Sequence, residues 1–85
     1  MNIPVDVIAV FNTLGNIKPA YIRLENEDHS LITYQITTIH FSKEENHAGI
    51  SNIVYVCDIL AGENQRQIKI AYNLQSHKWF LDNPL

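Results

Sequence analysis

Ser30-Leu31-Ile32-Thr33-Tyr34-Gln35-Ile36-Thr37-Thr38-Ile39-His40-Phe41-Ser42 is the longest β-like stretch of the chain, and its phase decides the architecture. Ile32, Tyr34 and Ile36 fall on one parity, whereas Ile39 and Phe41 fall on the other. Side chains alternate strictly across a strand, so a change of parity predicts a bulge or sharp bend near Thr37-Thr38. A long bent strand can serve two sides of a small barrel.

Working outward, Glu25-Asn26-Glu27-Asp28 before this stretch is too polar to bury and reads as a hairpin loop. Preceding it, Ile17 to Glu25 alternates Ala20, Ile22 and Leu24 with Tyr21 and Arg23, a strand with one wetter face. Pro19 has no N–H donor, which predicts that this strand lies at an edge or starts after the proline. The first segment, Val5 to Thr13, admits two readings. Its valines favour a strand, while Val7, Val10, Phe11 and Leu14 also fit one helical face with Gly15 as the stop.

Downstream, Ser42-Lys43-Glu44-Glu45 matches a helix-capping pattern and allows a helical turn before Gly49. Asn52 to Leu60 is almost continuously apolar, as expected of a central strand. After the turn at Ala61-Gly62-Glu63-Asn64, the segment Arg66 to Asn73 sets Ile68, Ile70 and Tyr72 against Gln67, Lys69 and Ala71. A closing strand, Lys78 to Asp82, sends Trp79 and Leu81 to one side and Phe80 to the other. Five or six sequential antiparallel strands with a bend in the third imply an all-β fold: a small curled sheet or an SH3-like or OB-like barrel. A helical first segment would make it α+β instead.

The 85 residues form one domain with no linker or repeat, 46% hydrophobic and 18% charged. Area scaling for 9.8 kDa gives about 5,200 Å² exposed when folded, with roughly 64% of the extended chain's surface buried, so the core is real but thin. The formal charge of −3 disfavours nucleic acid as a partner. Apolar runs reach only five residues, and no basic, apolar leader opens the chain. With a single cysteine and no glycosylation sequon, a cytoplasmic home is expected and no membrane contact.

Chemistry-bearing patterns are sparse. Cys57 lies in the apolar run Ile53 to Cys57, the setting of a packed thiol rather than a nucleophile. His29, His40, His47 and His77 have no metal-ligand spacing, the isolated glycines form no phosphate loop, and no cofactor is implied. Asp58 in the same apolar strand calls for a salt bridge or an outward position. The candidate binding face is aromatic and basic: Tyr21, Arg23, Tyr34 and Lys69. Tyr34, Tyr72 and Trp79 could equally fill the core with their polar tips outward.

Val7-Ile8-Ala9-Val10-Phe11-Asn12-Thr13-Leu14-Gly15-Asn16-Ile17-Lys18-Pro19 resembles the opening of a group of small uncharacterised bacterial all-β proteins, a domain of unknown function. Tyr34-Gln35-Ile36, Val54-Tyr55-Val56-Cys57, Ile68-Lys69-Ile70-Ala71-Tyr72 and Trp79-Phe80-Leu81 carry the resemblance further. It spans nearly the whole chain and implies that the first segment is a strand. It brings no activity and no site residue with it. The expected function is therefore a non-enzymatic interaction module that binds a protein partner or itself as a homodimer, through an edge strand or an aromatic face. The alternatives are single-stranded nucleic-acid binding and chemistry at Cys57 or Asp58.

Overall fold

The computed structural model describes residues 3–83. Six strands follow in order: β1 (Ile3–Phe11), β2 (Ile17–Glu25), β3 (Leu31–His47), β4 (Ile50–Ala61), β5 (Asn64–Asn73) and β6 (Trp79–Asn83). Each pairs antiparallel with the next, and β6 returns to β1, closing a barrel. The helical reading of the first segment does not hold: β1 is a strand, because Asp6–Phe11 pair with β2 and Ile3–Val5 pair with β6. Principal extents of 36 × 28 × 17 Å show a flattened barrel.

β3 does what its parity change predicts. Leu31–Gln35 pair with β2, and Ile36–His47 pair with β4, with register shifts at Ile36/Thr38 and again at Ile39/Phe41. Ile36 and Ile39 therefore both turn inward, while Phe41 points out and is 52% exposed. No helical turn forms at Ser42–Glu45. Those residues stay in the β3–β4 ladder, because Ala48 and Gly49, both with positive φ, make a two-residue hairpin turn that carries the pairing to His47↔Ile50.

Pro19 departs from expectation. It lies inside β2 and is fully buried, although β2 is flanked by two strands. Three features accommodate it. The β1–β2 register slips between Ile8 and Ala9, pairing Ala9 with Pro19 and bulging Ala20. The β2–β3 ladder starts only at Tyr21. On the open β3 side the adjacent Ile17 carbonyl accepts a 2.7 Å hydrogen bond from the Tyr55 hydroxyl. Tyr55→Phe removes that bond and is expected to destabilise the fold by about 1 kcal/mol, read as a fall in urea midpoint without a change of slope.

The core runs along the inward parity of every strand. Ile22, Ile36, Cys57, Ile59, Ile68, Ile70, Tyr72, Trp79 and Leu81 are buried together with Tyr55. Trp79 stacks obliquely between Tyr72 and Tyr55, at ring separations of 4.8 and 5.7 Å. On the outside, register aligns Lys43, Val54, Ala71, Phe80 and Pro4 in one row. The small Val54 and Ala71 are buried in it, which is the two-sided covering expected of the central strand.

The folded chain exposes 5824 Å², about 600 Å² more than a compact monomer of its mass.

Candidate protein interface

The four residues of the aromatic and basic face do not come together. Tyr21 and Arg23 do project outward side by side on β2, but Arg23 is ion-paired with Asp6 across the β1–β2 ladder. Tyr34 lies on the inward parity of β3 and packs against the core. Lys69 belongs to β5, three strands away from β2 in either direction around the barrel, and its Nζ is 3.2 Å from Asp82. A single basic aromatic surface is thus absent.

What the β1–β2 hairpin presents instead is apolar. Ile8, Val10, Phe11, Leu14 and Tyr21 are 61, 54, 63, 84 and 41% exposed. The register sets Ile8 beside Tyr21 and Val10 beside Lys18 on the outer face. At the tip, the Asn12 side-chain oxygen accepts hydrogen bonds from the Leu14 and Asn16 amides, both at 2.9 Å, with Gly15 at φ 84°. This rigid turn holds Leu14 out into solvent. The face expected from the sequence included Tyr21 but not Ile8, Val10, Phe11 or Leu14. Alternation carries part of the signal: Ile8 and Val10 share the parity opposite to Val7 and Ala9, which pack on the core.

The hairpin also has an open flank. β6 pairs with β1 only at Ile3↔Leu81, Pro4↔Phe80 and Val5↔Trp79. Beyond that the ladder ends in a turn where His77 adopts a positive φ and donates its amide to Asn73, and His77 lines a small pocket with Val7, Ala9 and Phe11. Within the hairpin, the Asn12 amide bonds the Asn16 carbonyl. Alternation then directs Val10 towards β2 and Val7, Ala9 and Phe11 away from it. Pro19, opposite Ala9, has no N–H to offer, consistent with that phase. Among the described residues, the outward N–H and C=O groups of Val7, Ala9 and Phe11 meet no strand.

A cavity of about 1050 Å³ opens at one end of the barrel, with Val5, Leu24, Tyr34, Trp79 and Leu81 in its lining. Asp6 and Arg23 pair at its rim, as do Glu25 and His29, at 2.8 Å. Asp58 is paired as well, its carboxylate 3.0 Å from His40 Nε2. Cys57 is fully buried, and burial, with a smaller push from the Asp58 charge, raises its thiol to about 11. Among the described residues no three His, Cys, Asp or Glu side chains converge as a metal set. Among the described residues no helix is long and apolar enough to cross a membrane. Comparison of the chain with protein-family models, curated proteins and solved structures gives no match.

Proposed function

We propose that this chain is a small interaction barrel that binds a protein partner or a second copy of itself through the β1–β2 hairpin, without catalysis. The observation that carries this reading is the coincidence, on one hairpin, of five exposed large hydrophobic side chains with a strand flank that lacks a neighbour. Exposed apolar patches of this kind mark interaction sites, and an open strand edge supplies backbone hydrogen bonds for an added strand. The lone buried thiol suits a reducing, cytoplasmic setting. Nucleic-acid binding draws less support, since the basic side chains it needs lie on opposite walls or are already ion-paired.

Ile8 and Val10 are exposed, so Ile8→Glu/Val10→Glu should leave the barrel folded, at a cost of about 1 kcal/mol. Immobilised wild-type protein is expected to retain a partner, or free copies of itself, that the double variant does not. Retention of the same proteins in the same amounts by both forms contradicts the reading.

A further inference from the structure

The two flanks of the β1–β2 hairpin are treated differently by the fold. On the β2 side, Pro19 offers no donor and the Tyr55 hydroxyl occupies the Ile17 carbonyl, so an incoming strand loses two of its ladder bonds there. On the β1 side, Asp6-Val7-Ile8-Ala9-Val10-Phe11 has no proline and no lysine, and its one charge is held by Arg23. Long, apolar edges of this kind are normally blunted in natural sheets. Here one flank is blunted and the other is left open.

Resting on the function proposed above, we infer that the occupant of the open flank is a second copy of the same chain, its β1 paired antiparallel with this β1 about a two-fold axis at Ala9. The strand is complementary to itself in that register. Ala9 meets the partner's Ala9, and Val7 meets the partner's Phe11, so all three outward-directed N–H and C=O pairs on each copy are satisfied. A slide towards the strand's start runs into Val5, already paired with Trp79. A slide towards its end leaves Val7 without a partner. On the outer face Ile8 falls opposite the partner's Val10, a β-branched pairing that favours strands. Asp6 falls opposite the partner's Asn12, so no like charges meet.

Closure agrees with this choice. Because the pairing is two-fold, this contact uses each β1 once and closes at two copies rather than growing into a filament.

The test is light scattering of the full chain over a concentration series, with circular dichroism to confirm folding of each variant. Wild type is expected to move from the 9.8 kDa monomer to twice that mass. Ile8→Lys/Val10→Lys sets two like-charge pairs across the proposed register and is expected to weaken the dimer by about 100-fold while remaining folded. Ile8→Glu/Val10→Glu should likewise stay monomeric alone, whereas an equimolar mixture of the two double variants should regain the dimer mass. A wild type that stays monomeric throughout overturns self-pairing, while the hairpin reading still answers to the capture experiment. A dimer that persists in both double variants overturns self-pairing at β1 and also removes self-association as support for the hairpin.

Discussion

Trp79→Ala is expected to take the barrel to the edge of unfolding. The indole is buried, sits between Tyr72 and Tyr55, and occupies the last of the three register positions that join β6 to β1. Truncating a buried tryptophan costs about 3–5 kcal/mol, set against roughly 4–13 kcal/mol for the whole stability of a chain this size. The loss also falls on the seam that closes the barrel, the shortest of its ladders. Far-UV circular dichroism with urea titration should show a midpoint lowered by at least a third, or no folded baseline at all. Phe80→Ala, one residue on but facing out, should cost less than half as much. An unchanged midpoint in Trp79→Ala would mean that the aromatic cluster does not hold the closure.

The second large effect concerns Cys57. Its thiol is fully buried, and that burial pushes its pKa up to about 11. The thiolate is the reactive form, so native labelling at pH 8 should run at least about 100-fold slower than labelling of the urea-unfolded chain. The same shift gives a sign for stability against pH. The fold favours the neutral thiol, so its contribution is intact below about pH 9 and is lost as pH rises towards 11. Tyr55, raised chiefly by its own burial, pushes in the same direction. The urea midpoint should therefore fall between pH 9 and 11, and less steeply in Cys57→Ala. Rapid stoichiometric labelling of native protein would show instead that the β4 thiol is open to solvent, reviving a reactive role for it.

How much of this was legible in the sequence depends on whether local alternation or distant pairing decided the outcome. The inward isoleucines of β5, the outward Phe80 and the bend in β3 follow from parity alone, and the sequence carries them plainly. Pro19 was misplaced because its tolerance comes from a bulge opposite Ile8 and Ala9 and from a hydroxyl on β4, neither of which is encoded nearby. The expected helical turn at Ser42–Glu45 lost to the β3–β4 ladder, where local capping is outweighed by a full row of cross-strand bonds.

The candidate surface was less legible for a related reason. Tyr21, Arg23, Tyr34 and Lys69 were grouped by residue type, but barrel closure sends Lys69 to the opposite wall and Tyr34 inward. The hairpin residues Ile8, Val10 and Leu14 look like core material until the strand order shows that β6 stops at Val5. An open flank is a property of neighbours, and one strand's sequence does not report who its neighbours are.

Amide hydrogen exchange along β1, followed residue by residue in dilute and in concentrated protein, reads the state of the open flank itself. Ile8 and Val10, directed to β2, should be protected at both concentrations. Val7, Ala9 and Phe11 should exchange freely in dilute protein and become protected as concentration rises and the second copy binds. Equal protection of all five amides in dilute protein would contradict the account, because it would mean that the flank is already closed within a single chain.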